Sequence, residues 1–217
     1  MNLKGANYYN FYFYPFLVLL ISILSFTIIL VKEYNTDLDA HIYILERHIN
    51  VGEFPVPPLY YFGLYIMNKV LSTGHIFNTI FILSVCIWWK FHIAQKYLID
   101  QIVDIKINKH IAPLLIGGLV LFFPIYVPGI DGSKLYLGKF TPNIWHNSTT
   151  IFSFAFSILL FLKSINYIDK PTNKNLGWLL VLGLLVLLSK PSFIFVFIPS
   201  FPLVYVWKTR KIDIQLL

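Results

Sequence analysis

The sequence predicts an all-α integral-membrane bundle of about six spans, and three observations predict it. The chain is 57% apolar and only 12% charged. Its mean hydropathy is +0.69. Its uncharged runs recur at the length of a bilayer, and such a composition lies outside the soluble globular range. The formal net charge of +7 does not mark a nucleic-acid binder, because the aromatic residues sit inside the apolar runs and most basic residues flank them. Membrane lipid is therefore an expected partner, and nucleic acid is not.

The first run, Phe11 to Val31, holds 21 residues without a charge. At about 1.5 Å per residue it crosses a hydrocarbon core of roughly 30 Å. A cleaved signal peptide normally has a shorter apolar region, and no small-x-small cleavage site precedes Lys32. An anchored first span is the expectation. Val70 to Trp89, Ile111 to Ile130 and Thr141 to Leu162 follow, interrupted only by His75 and His146. Asn175 to Ser189 and Pro191 to Trp207 are shorter and are separated by Lys190. The whole of 1–217 reads as a single transmembrane domain. Its one cysteine, Cys86, excludes an internal disulfide and reads as a small apolar filler.

Orientation follows from the Lys and Arg residues. With the N-terminus inside, eleven fall in inner segments and six in outer ones: Lys32, Arg47, Lys69, Lys134, Lys139 and Lys190. The asymmetry predicts both termini in the cytoplasm and residues 32–69 as the first outer loop. A cell (plasma or inner) membrane is the expected location.

That loop is the longest polar interval of the chain, and with Glu33 it carries five of the ten acids, the others being Asp37, Asp39, Glu46 and Glu53. Leu38, Ile42, Leu45 and Ile49 fall at i, i+4, i+7 and i+11, one apolar stripe of a helix. Thr36 suits its start, Gly52 its stop, and Arg47 and His48 its C-terminal dipole. An amphipathic helix beside a span is expected in the interface plane. Pro55, Pro57 and Pro58 then force extended chain, before a second interfacial helix from Leu59 to Tyr65.

Two readings compete for the acidic pair, and spacing alone favours the plainer. In that one, Thr36-Asp37-Leu38-Asp39 is a capping box serving the helix start. In the other, one carboxylate accepts a proton while its neighbour holds a metal or a sugar hydroxyl. The two are compatible, since a helix start pins a carboxylate well.

The order of an apolar span, Thr36-Asp37-Leu38-Asp39, an amphipathic helix and Pro57-Pro58-Leu59-Tyr60-Tyr61 resembles the start of GT-C membrane glycosyltransferases, enzymes that use sugars carried on polyprenyl phosphates. The acidic segment is similar to the Asp-x-Asp motif of glycosylphosphatidylinositol mannosyltransferases. The proline segment resembles a stretch of aminoarabinose and protein mannosyl transferases. Relatives often show Asp-Glu with a basic residue two positions on, a pattern that Asp39 and His41 match in part, with Leu38 standing in place of an acid. The layout resembles the family over about the first 130 residues. Family members are usually about twice as long, which implies an N-terminal part, a compact relative or a half that needs a partner.

The resemblance implies a GT-C-like helical bundle and a hexosyltransferase working on the outer face. It implies Asp37 or Asp39 as general base, and a polyprenyl-phosphate-linked donor. The acceptor is a glycan, lipid or protein, and Asp37 and Asp39 are the ligands for a divalent cation (Mg or Mn) if one is used. In the second outer loop, Lys134, Lys139 and His146 can meet the lipid phosphate. Interfacial anchoring is the plainer role for the lysines, while His146 lies at the mouth of a span, where a polar ring is either packed or functional. Lys190 faces the same side and snorkels or pairs with a phosphate or an Asp; Arg47 and His41 complete the candidate phosphate-binding set. Asn147-Ser148-Thr149 is a formal glycosylation sequon, read as chance so close to the membrane. No glycine-rich phosphate loop, His-Glu-x-x-His or nucleophile elbow is present. The rival classes are a polysaccharide polymerase or lipid-sugar translocase, and a non-catalytic membrane subunit on the same scaffold.

Overall fold

The computed structural model describes residues 8–32, 37–102, 110–122 and 147–210. Eight helices follow in order: α1 Tyr8–Val31, α2 Asp37–Asn50, α3 Pro58–Leu71, α4 His75–Ile102, α5 Ile111–Phe122, α6 Ser148–Asp169, α7 Asn173–Ser189 and α8 Ser192–Thr209. No strand occurs among the described residues. Four helices, α1, α4, α6 and α8, are long and apolar enough to cross a membrane, and α5 and α7 are shorter apolar helices. The outer surface agrees with that class. On α1 a narrow stripe of Val18, Ser22 and Phe26 is buried, while Phe13, Phe16, Leu20, Leu24 and Ile28 are exposed. Apolar surface of this extent belongs against lipid.

Several boundaries differ from expectation. The second run begins at His75 rather than Val70, because α3 carries on to Leu71 and the chain then turns through left-handed Ser72 and Gly74. It also continues past Trp89 to Ile102, so Lys90, expected in an inner segment, lies within the apolar window His75–Tyr97. The fourth run begins at Ser148, where Asn147 caps the helix, rather than at Thr141. Residues 141–146 lie outside the described part.

The Thr79 and Ser148 hydroxyls both flank the Tyr60 hydroxyl; further along, Trp89 meets Phe156 and Lys90 meets Phe154. Helices α4 and α6 therefore begin at the same end. Helix α5 starts at the opposite end, where His110 contacts Tyr14 of α1, and it packs along α4 and α1. Helix α7 leaves the far end of α6, where Lys163 lies over Trp178, and brings Lys190 back within electrostatic reach of His41. Helix α8 returns to place Lys208 3.4 Å from Asp169. That ion pair is exposed on both sides, and such pairs are worth about 0–1 kcal/mol.

Two cores result. One gathers α1 to α5 with the start of α6, around Phe26, Leu38, Leu45, Tyr60, Leu83, Phe91 and Ile151. The other gathers the second half of α6 with α7 and α8, around Leu160, Tyr167, Val186 and Phe201. Helix α6 belongs to both.

Helix α2 forms as its periodicity dictates. Leu38, Ile42 and Leu45 are buried, and the helix ends at Gly52 with φ +77°, where the Gly52 amide donates to the Ile49 carbonyl at 3.1 Å. Glycine adopts this left-handed conformation without a Cβ clash. The expected cap, Thr36, lies outside the described residues. The stripe is covered by protein: α2 packs on α4 and α6, and Leu38 and Leu45 are fully buried in the first core. Helix α3 starts with Pro58 at its first turn, where the missing N–H costs nothing. It buries Tyr60, Tyr61 and Leu64 while Phe62, Ile66 and Val70 stay exposed. Leu38→Ala should thus destabilise the protein by about 2–5 kcal/mol, whereas Tyr43→Ala, at a 63% exposed position, should leave thermal unfolding in detergent nearly unchanged.

Candidate functional site

A polar cluster forms where the first turns of α2, α3 and α6 meet the end of α7. Its centre is Asp37, the first residue of α2. The Asn147 amide donates from Nδ2 to Asp37 Oδ2 at 3.2 Å. The other end of the Asn147 side chain is also occupied, since Oδ1 accepts from the Thr150 amide at 3.0 Å and from the Thr149 and Thr150 hydroxyls at 2.8 and 3.0 Å. Asn147 thus caps α6 with its carbonyl and holds Asp37 with its NH2. The carboxylate sits at the positive end of α2, where negative charge is favoured.

One turn on, His41 shares a face with Asp37, since residues at i and i+4 are neighbours on a helix. His41 Nδ1 lies 2.6 Å from the Tyr61 hydroxyl oxygen, and its ring meets Tyr60 edge-on with centroids 6.1 Å apart. Burial lowers the His41 pKa to about 4, opposed by the nearby Asp37 charge and reinforced by Lys190. Burial likewise raises the Tyr61 hydroxyl to about 12. Both groups are neutral at pH 7, so a single proton is shared in their contact, and with Tyr61 as donor the imidazole keeps its N–H on Nε2. Neutral His41 thus offers a hydrogen-bonding group at this point rather than a charge.

Deeper in lies the Tyr60 hydroxyl, fully buried and pushed above its ordinary pKa by that burial. The Ser148 and Thr79 hydroxyls lie beside it, yet none of the three oxygens makes a hydrogen bond of good geometry.

Among the expected site residues, the structure sets Asp37 and His41 one turn apart and puts Lys190 within electrostatic reach of His41. Asp39 it places elsewhere: two residues along a helix is a turn of about 200°, and Asp39 is exposed. Arg47 is exposed near the other end of α2, about 15 Å along the axis from Asp37. His146 and Lys139 lie outside the described residues. Among the described residues no three His, Cys, Asp or Glu side chains group as a metal site, and Asp37 and Asp39 diverge. Sequence reasoning passed over Asn147, whose Asn-Ser-Thr-Thr start before an apolar run was a legible cap signal, and gave no role to the Tyr61 hydroxyl.

A groove of about 590 Å³ opens elsewhere, between the end of α2 and the start of α3, lined by Ile49, Gly52, Glu53, Phe54, Pro58, Leu59, Phe62 and Tyr65. Apart from Glu53 its side chains are apolar or aromatic, and none of the clustered polar groups lines it. Comparison with family models, curated proteins and solved structures finds no match for this chain.

The histidine carries a pH signature. A group whose folded pKa is depressed adds stability above its unfolded value and loses it as pH falls through the folded value. Stability should decline from about pH 6.5 towards pH 4, and His41→Gln should flatten that decline in a series of unfolding curves.

Proposed function

We propose that this chain is an integral-membrane glycosyltransferase of GT-C-like type, transferring a sugar from a polyprenyl-phosphate-linked donor to an acceptor on the outer side. In this reading α5 and α7 also cross, giving six spans. Support comes from two observations: α4 and α6 begin at one end, so the chain returns between them, and α7 runs back along α6 for about 26 Å over its 17 residues. The polar cluster then lies at the end opposite Asp169 and Lys208, on the outer face.

One observation carries the reading. Asp37, anchored by Asn147, stands one turn from a half-buried neutral imidazole that lies within electrostatic reach of a lysine. A fixed carboxylate accepts a proton; a neutral imidazole gives or takes a hydrogen bond; an ammonium offsets a leaving phosphate. In the reaction Asp37 takes the acceptor hydroxyl's proton as that oxygen forms a bond to the anomeric carbon. The bond from that carbon to the phosphate oxygen breaks, and the electron pair leaves on the lipid phosphate, whose charge Lys190 offsets. His41, oriented by Tyr61, holds a substrate oxygen. Asp39, on the far side of α2, is left with the helix dipole.

General-base assistance is typically worth about 10²–10⁴-fold. Asp37→Asn should therefore lower turnover by about that factor in a transfer assay with purified protein and a synthetic lipid donor, with KM little changed. Asp39→Asn should stay within about threefold of the parent on this geometry. Unchanged turnover in Asp37→Asn would reduce the Asp37–Asn147 contact to a clamp between two helices and favour a non-catalytic subunit.

A further inference from the structure

We propose that Lys90 is an anion-binding residue, its ammonium set between α4 and α6 to receive the phosphate of a lipid-borne ligand. That the ligand is a sugar carrier rests on the reading above; that an anion belongs there does not.

Lys90 is partly buried within the apolar window of α4. Its Nζ lies 4.0 Å from the centre of the Phe154 ring of α6. Among the described residues no carboxylate lies within ion-pair distance of it; the ion pair they contain joins Lys208 to Asp169 at the far end. A ring face compensates a cation in part, but an ammonium withdrawn from water calls for a counter-charge. Ionisable groups inside a span are rare and are retained chiefly for ligands, ions or protons.

Snorkelling to the far interface does not account for its position. Side chains on a helix lean towards its N-terminus, and the N-terminus of α4 is the end that carries the polar cluster. Phe154 follows Asn147 by seven residues, which places both on one face of α6, about 10 Å apart along the axis. The ammonium therefore lies over a residue on the same face of α6 as Asn147, on the bundle side that carries the Asp37–Asn147 contact at its end. Phosphate is the anion that membrane molecules commonly bear, and lysine meets it as a point charge.

The test uses the full chain in detergent, with intrinsic tryptophan fluorescence reporting the binding of a short-chain isoprenyl phosphate, the matching isoprenol and phosphatidylglycerol. The parent should bind the isoprenyl phosphate at least about tenfold more tightly than the isoprenol. Lys90→Met should lose that preference while still binding the isoprenol, which shows that it is folded; Lys90→Arg should keep most of it. Equal affinity for phosphate and alcohol in the parent, or a preference that survives in Lys90→Met, overturns the assignment. Equally tight, Lys90-dependent binding of phosphatidylglycerol overturns the carrier and leaves a general phospholipid site. Lys90-dependent binding with no sugar transfer sinks the enzymatic reading alone, and transfer that ignores Lys90 sinks this one alone.

Discussion

The hydrogen bond from Asn147 to Asp37 is the constraint on which the polar end of the molecule depends. One side chain satisfies two obligations at once: its carbonyl closes the first turn of α6, and its amide fixes a carboxylate 110 residues away in sequence. Neither half is easily replaced. Aspartate would still cap α6 but would set two carboxylates against each other, and leucine would do neither. The two helix starts point positive ends towards the same carboxylate, so local backbone electrostatics and tertiary packing agree there.

Much of the architecture was legible in the sequence for reasons of period and length. The stripe of Leu38, Ile42, Leu45 and Ile49 gave α2 and Gly52 its stop, whereas α3, expected from Leu59 to Tyr65, takes Pro58 into its first turn and runs on to Leu71. What the stripe could not reveal was its partner. An apolar face reads the same whether lipid or protein covers it, and here α4 and α6 cover it. Runs free of charge gave the long helices but not their limits. Lys90 looks like a terminus in a hydropathy trace, whereas α4 carries it inside because Phe154 offers its ring and the helix has no breaker before Ile102.

The site was less legible, for a geometric reason. Asp-x-Asp invites a paired reading, but in a helix it sets the two carboxylates on nearly opposite sides, while i and i+4 brings Asp37 to His41. Once α2 was known to start at Asp37, the useful partner was four residues on rather than two. Asn147 could not be placed beside Asp37, nor Lys190 within reach of His41, from sequence, since both arrive across long stretches of chain. The sequon reading of Asn147 hid an ordinary cap.

Helix α6 takes part in both cores, its first half in one and its second half in the other. The pair α7–α8 packs on the second half of α6, and Lys190, at the turn between the two helices, lies within electrostatic reach of His41. The charge felt by an imidazole in the first core is thus set partly by how the second core is seated: a shift of α7 against α6 that leaves every contact of His41 and Tyr61 intact would still alter the field at that ring.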